Sequence, residues 1–190
     1  MSQVSCRLKK RVGEFESLFR RARNLVEKRS GSEVKTADFI NDLAFTKILT
    51  KRYGEAIALG NDSLGILLRV ENPPPENLIL AFKIHAAAYA KLREFSEAEK
   101  WLRQALLVAE NAYGTTHPAF GRTLILYSSI LGNLNQKSEA KRLRKRGEEI
   151  LAQSKRTNGT DYIVDLSDLR IVERSRPEGI HFQYSRHPLM

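Results

Sequence analysis

The side chains that most often carry out chemistry in proteins are sparse in this chain. Its histidines are His85, His117, His181 and His187, and its one cysteine is Cys6. No histidine has a second ligand at the spacing of a metal site, and there is no cysteine pair. The sequence also lacks a phosphate-binding glycine loop, a dinucleotide-binding fingerprint and a nucleophile motif. We therefore expect no metal, no cofactor and no enzymatic activity.

The densest charged segment is the run KRLRKR at residues 141–146. Its cations are Lys141, Arg142, Arg144, Lys145 and Arg146, which we call the basic patch. Such a run could bind a nucleic acid or an acidic protein, but no aromatic residues alternate with the cations as base stacking would require. A polar outer face on a terminal helix is the simpler interpretation. On a helical wheel, Leu143, Gly147 and Ile150 point inward instead.

The elements that carry these residues repeat at intervals of about 42 residues. Versions of one phrase read VGEFESLFRRA, YGEAIALGNDS, FSEAEKWLRQA and KSEAKRLRKRG, and their anchoring residues are Phe15, Ala56, Ala98 and Ala140. A repeat of this length predicts stacked helix pairs, each of which buries its apolar face only against its neighbours. Such an array offers an extended surface, whereas most enzymes need a closed pocket.

Apolar residues at spacings of three and four, with breakers between the runs, predict about seven helices. They cover approximately residues 12–29, 33–51, 53–70, 75–92, 95–112, 118–131 and 137–153. Gly60 and Gly65 lie inside the third helix, where we expect both to let neighbouring helices approach closely. Residues 154–160 read as a polar linker, and residues 161–166 have the composition of a β-strand. The predicted domains are therefore a helical repeat domain over residues 1–153 and a partly extended tail over residues 154–190.

These segments resemble the tetratricopeptide repeat, in particular the 42-residue type found in kinesin light chains and in many bacterial proteins. The matching segments are INDLA at residues 40–44, YGEAI at 53–57, FSEAEKWLRQAL at 95–106 and YGTTHP at 113–118. The resemblance covers about residues 12–153. It implies an all-α fold, an α-α superhelix of about three and a half units, in a protein of bacterial origin.

In this family the first helix of each pair lines the concave side of the superhelix, and this groove binds peptides or proteins. The resemblance places one set of residues on that side, which we call the predicted wall. Its members are Asp38, Asn41, Asp42, Phe45, Leu80, Lys83, Ala87, Lys91, Arg122, Ile125, Ser129 and Asn133. The resemblance therefore implies a non-enzymatic adaptor or scaffold whose partner is another protein or a peptide.

The chain has 190 residues and a formal net charge of +10. The positive charge is concentrated in residues 1–35 and 117–156, a pattern that fits solvated caps at the ends of the array and also fits an acidic partner. Two alternatives stay open: a basic helical protein associated with nucleic acid, and a scaffold that self-assembles by end-to-end stacking of repeats. The tail is less basic than the last helix, so it is also a candidate to occupy the groove.

The sequence contains no apolar run long enough to cross a membrane, and no apolar segment follows the basic amino terminus as it would in a secretory signal. A lone cysteine indicates a reducing compartment. We therefore expect a cytoplasmic protein with no membrane contact, either a monomer or a homo-oligomer formed by end stacking.

Overall fold

A computed structural model describes residues 33–158 of the chain, and this part consists of six α-helices with no strand. The helices are α1 (Glu33–Leu49), α2 (Tyr53–Leu67), α3 (Pro75–Lys91), α4 (Phe95–Tyr113), α5 (Pro118–Asn133) and α6 (Lys137–Asn158). The predicted all-α repeat fold is confirmed over these residues. The predicted helix over residues 12–29 and the predicted strand over residues 161–166 lie outside them.

The helices pack as the pairs α1–α2, α3–α4 and α5–α6. Short loops join the two helices of each pair, so they run antiparallel. Successive pairs contact each other through α2 with α3 and through α4 with α5. In addition, α1 packs directly against α3, which places the first helices of the first two pairs side by side.

The turn inside each pair is the same structure in all three pairs. Lys51, Arg93 and Asn135 are 42 residues apart and have left-handed φ angles of 62°, 67° and 62°. In the first of these turns, the Arg52 amide donates to the carbonyl oxygen of Lys47 at 2.8 Å. One left-handed residue thus closes the last turn of each first helix. These turns reproduce the sequence repeat in the backbone, although no glycine occupies the left-handed position.

Small residues at equivalent positions let the helices of each pair approach closely. Ala44, Ala86 and Ser128 are buried on α1, α3 and α5, and Ala56 and Ala98 have no exposed surface on α2 and α4. Larger side chains fill the spaces between the pairs. Ile84, Leu102 and Ile130 are the main examples, each fully buried. The core is therefore continuous from one pair to the next, as expected for stacked units.

Glycines mark the closest helix contacts. A methyl group on Gly60 would lie 2.5 Å from Cε1 of His85, so the predicted close approach is confirmed there. The same prediction for Gly65 is wrong, because apart from its own helix backbone no atom of the described residues lies within 4 Å of a methyl group at that position. Gly147 brings α6 against α5, where a Cβ atom would lie 2.7 Å from the carbonyl oxygen of Gly121.

Two helix ends differ from the prediction by more than two residues. Helix α2 ends at Leu67, before the predicted residue 70, because tighter turns take over ahead of the proline run. Helix α6 continues past Gln153 to Asn158, so most of the predicted linker is helical. Lys155 and Arg156 suit the negative end of the helix dipole, and the first helix-breaking residue is Gly159.

Candidate interaction surface on the first helices

Polar side chains from α1 and α3 meet where these two helices lie side by side. The group consists of Asp38, Asn41 and Asp42 on α1 and Glu76 and Asn77 on α3, and we call it the α1–α3 seam. The Asn77 Nδ2 donates to a carboxylate oxygen of Asp38. In return, Asn41 Nδ2 donates to the backbone carbonyl of Asn77 at 3.4 Å. These two bonds tie the first helices of adjacent repeats together.

The carboxyl groups of the seam are electrostatically crowded. Burial raises the pKa of Asp38 from its ordinary value, and repulsion from Asp42 and Glu76 raises it further. The hydrogen bond from Asn77 opposes this rise. Burial also raises the pKa of Asp42. Because all three acidic side chains still reach the surface, their repulsion would be relieved by a cation that binds from outside.

Asn41 adds a further unmet interaction to the seam. Its side chain has no exposed surface, and its buried Oδ1 has no hydrogen-bond partner within residues 33–158. A buried carbonyl oxygen without a donor costs about 1–3 kcal/mol. The seam therefore contains a buried acceptor that the donors of the described residues do not satisfy.

Glu76 also connects the seam to the end of α4. The hydroxyl of Tyr113 donates to Glu76 Oε2 at 2.7 Å, and the Tyr113 ring stacks on His117 with centroids 4.5 Å apart. Burial and then this hydrogen bond raise the pKa of Tyr113 to about 12, so the phenol remains a donor at neutral pH. The imidazole Nδ1 of His117 accepts the backbone N–H of Ala119 at 3.2 Å, which caps the start of α5. His117 therefore has a structural role at this turn.

The predicted wall lies partly below the molecular surface. Asp38 and Asp42 are exposed, and a larger subset is half-buried. That subset comprises Phe45, Leu80, Lys91, Arg122, Ile125, Ser129 and Asn133. Asn41 and Ala87 have no exposed surface and Lys83 only 6%, since the close spacing of the helices covers them. These three residues therefore support the wall from beneath and do not offer a contact surface.

Sequence reasoning missed Glu76, Asn77 and Tyr113. The two α3 residues come directly after the proline run, in the first turn of their helix. The repeat pattern marks equivalent positions along the first helices, but it does not show that the start of one helix lies beside the middle of the previous one. The one sequence signal for these contacts was the polar pair Glu76 and Asn77 at the start of α3.

The basic patch is exposed on α6, whereas Gly147 and Ile150 are buried as the helical wheel predicted. Part of its charge is paired within the helix. Arg142 contacts Glu139 at 2.6 Å, and Lys145 lies 3.8 Å from Glu149. Arg146 sits over the ring of Phe120. The face therefore has the mixed charge of a solvated terminal helix.

His85 is buried completely between the helix pairs. Its ring nitrogens lie 2.9 Å from the Ala81 carbonyl oxygen and 2.9 Å from Asn61 Oδ1. His85 is therefore a packing residue of the core. Among residues 33–158, no group of three histidine, cysteine or acidic side chains could hold a metal ion.

Comparison with known proteins agrees with this architecture. A family model for the tetratricopeptide repeat matches residues 86–119. The crystal structure of BtubC (BKLC) from P. vanneervenii superposes with a TM-score of 0.66, at 15% identity over 80% of this chain and 59% of that chain. A crystal structure of a Podosopora anserina putative kinesin light chain with nearly identical TPR-like repeats gives a TM-score of 0.61, at 20% identity over 78% of this chain and 71% of that chain.

The fold is a tetratricopeptide-type α-solenoid. At these identities the structural likeness concerns the fold alone. A curated relative, the secreted RxLR effector protein RXLR-C07 of Plasmopara halstedii, is 26% identical over 123 residues, which are 65% of this chain. The chain spans 37% of that relative's length. Within the described part of the solenoid, every helix is too short or too polar to cross a membrane.

Proposed function

We propose that this chain is a non-enzymatic adaptor that binds an extended peptide or a protein along the first helices of its solenoid. The α1–α3 seam is the observation that carries the proposal. It presents exposed carboxylates and hydrogen-bonding groups from two helices that run side by side. Polar groups of this kind fix the register of a bound segment, and the half-buried Phe45 offers it apolar contact. Tetratricopeptide repeats generally bind protein partners, in line with this proposal.

Neither alternative function has comparable support. The basic patch is partly paired with glutamates, and Phe120, the ring that Arg146 covers, is buried. The outward face of α6 is polar, which suits a terminal cap better than an interface for a second copy. A cytoplasmic location and a bacterial origin remain predictions from the sequence.

The proposal can be tested by photo-crosslinking in the source cells. A photoreactive amino acid replaces Phe45 on α1 in one variant and Leu107 on α4 in the other; Leu107 is 52% exposed. We expect specific adducts from position 45 and none of the same mass from position 107. Equal adducts from both positions would show that the first helices are not the binding surface.

A charge reversal then tests the seam itself. Asp42→Arg in the Phe45 crosslinking variant should abolish the adduct, because it replaces an exposed carboxylate in the centre of the seam. The matched control is Asp62→Arg, which makes the same change at an exposed position of α2. Retention of the adduct in the Asp42→Arg variant would contradict the proposal.

A further inference from the structure

We infer that the α1–α3 seam binds a basic side chain, lysine or arginine, of the partner segment. This inference rests on the proposed function and adds the chemistry of the partner. It differs from what net charge alone predicts, since a chain of charge +10 attracts acidic partners in general.

The first support is the arrangement of the carboxylates. Asp38 and Asp42 are one helical turn apart on α1, so they lie on the same face. Glu76 comes from the first turn of α3 and acts on Asp38 through space. All three side chains are exposed, so a cation can reach them from solvent. Like charges held this close favour a bound cation.

The second support is independent of the charges and comes from Asn41. Its side chain is fully buried, its Nδ2 is directed at the Asn77 carbonyl within the seam, and its Oδ1 has no donor. An unsatisfied acceptor therefore lies beneath the exposed carboxylates, on the residue that directly precedes Asp42. It adds to the excess of acceptors in the seam, whereas the exposed carboxylates are the groups that a ligand can contact. The ligand that matches them has donors and no acceptor.

Protein side chains offer two such groups. The lysine ammonium has three donors and the arginine guanidinium has five, and neither has an acceptor. A carboxylate or a phosphate would add acceptors and negative charge to a site that already has an excess of both. The seam thus selects a cationic segment of the partner and rejects an acidic one.

Fluorescence anisotropy with short labelled peptides tests this selectivity. The probes are a peptide of alternating lysine and alanine, the same peptide with every lysine acetylated, and a peptide of alternating glutamate and alanine. We expect the lysine peptide to bind roughly tenfold more tightly than the acetylated one. Because general electrostatic attraction favours the glutamate peptide, a preference for lysine reports the seam itself.

The variants are chosen to keep the fold. The double variant Asp38→Asn and Asp42→Asn preserves side-chain shape and leaves an acceptor for Asn77, and Asp62→Asn is the matched control on α2. We expect the double variant to lose the preference for the lysine peptide and the control to keep it. Thermal unfolding followed by circular dichroism verifies that both variants are folded.

The outcomes separate the two proposals. The inference is overturned if the lysine peptide binds the double variant as tightly as it binds the natural chain. It is also overturned if the natural chain binds the lysine peptide no more tightly than the acetylated peptide. In both cases the crosslinking result at Phe45 still stands. Failure of the natural chain to bind the lysine peptide also overturns the inference. If the chain without the Asp42→Arg change gives no adduct at position 45 but still prefers the lysine peptide, the adaptor proposal is contradicted while the inference about the seam stands.

Discussion

The imidazole ring of His85 stacks on the indole of Trp101, with the ring centroids 4.2 Å apart and 22° between the ring planes. The imidazole also contacts Asn61, so it joins α2, α3 and α4. Burial lowers the pKa of His85 more than its hydrogen bond with the Ala81 carbonyl raises it. The interface between the first two helix pairs therefore contains a neutral histidine beside the only tryptophan of the chain.

This arrangement predicts that acid weakens the fold. Below about pH 6.5 the unfolded chain takes up a proton at His85 while the folded chain does not. The contribution of His85 to stability is therefore fully present above that pH. It is lost as the pH falls from the unfolded-state pKa to the lower folded-state pKa, and below the folded-state pKa the stability no longer changes through His85. Within this window we expect a loss of up to about 1.4 kcal/mol per pH unit in the free energy of unfolding. Urea unfolding at a series of pH values measures it.

Trp101 fluorescence reports the same event without unfolding the protein. A protonated imidazole in contact with an indole quenches its emission, so emission should fall with a midpoint below pH 6.5 in the natural chain. The variant His85→Gln should lose both this step and the slope in stability, whereas His117→Gln should keep both. A slope unchanged in His85→Gln would show that other groups cause it.

Two glycines on α2 offer a matched pair of substitutions. Gly60→Ala places a methyl group 2.5 Å from the His85 ring, so the rings must shift, and we expect a loss of about 1–3 kcal/mol. Gly65→Ala meets no atom of a neighbouring element within 4 Å in the described part of the chain, so it should raise stability by up to about 1 kcal/mol through helix propensity. Urea denaturation of both variants measures the change in the free energy of unfolding, which should be a loss for Gly60→Ala and a gain for Gly65→Ala. Similar effects from both would mean that the contact at Gly60 is not tight.

The repeat was predictable from the sequence because each unit packs its two helices in the same way. Ala56 and Ala98 recur at a fixed interval since the same close helix contact recurs in space. A local pattern of this kind is visible without knowledge of the fold. For the same reason the starts of α3 and α5 could be placed at their prolines.

The seam was only partly predictable because it depends on how one unit is displaced along the next. Asp38 and Asp42 were found through the family resemblance, but their partners Glu76 and Asn77 lie at a different position in their own repeat. The burial of Asn41 depends on the distance between α1 and α3, which no local pattern encodes. The sequence pattern predicts the helix face on which a residue lies. How deeply its side chain is buried depends on the helices packed against it.

The left-handed turns give a third prediction. Lys51 has a φ of 62°, a conformation that costs a residue with a Cβ about 1–2 kcal/mol and glycine almost nothing. Lys51→Gly should therefore raise the stability of the fold, by about 1 kcal/mol or less because glycine also gains freedom in the unfolded chain. Thermal unfolding of Lys51→Gly checks this, with Lys35→Gly, a change at an exposed position of α1, as the control that should lose stability. A loss in both variants would contradict the assignment of the turn.

The last prediction concerns the cost of the seam carboxylates in the absence of a ligand. The raised pKa of Asp38 means that the folded chain binds its proton more tightly than the unfolded chain does. Stability is therefore lost as the pH rises from the unfolded-state pKa through the folded-state pKa, and the cost is complete at neutral pH. Asp38→Asn removes this cost while it retains an acceptor for Asn77, so we expect a gain at pH 7 that disappears near pH 3, where the natural carboxyl is protonated as well. Because the group is partly exposed, the gain should be about 0.5 kcal/mol or less.

Urea unfolding of Asp38→Asn at both pH values measures this gain, and Asp62→Asn on α2 serves as the control at an exposed site. A loss of stability at pH 7 in Asp38→Asn would show that the carboxylates support the fold. A gain would mean that the acidic side chains cost stability in the free protein. Their repulsion would then be relieved when a cationic partner binds, because the ligand supplies the charge that the seam lacks. The same carboxylates would thus lower the stability of the free protein and strengthen its binding to a cationic partner.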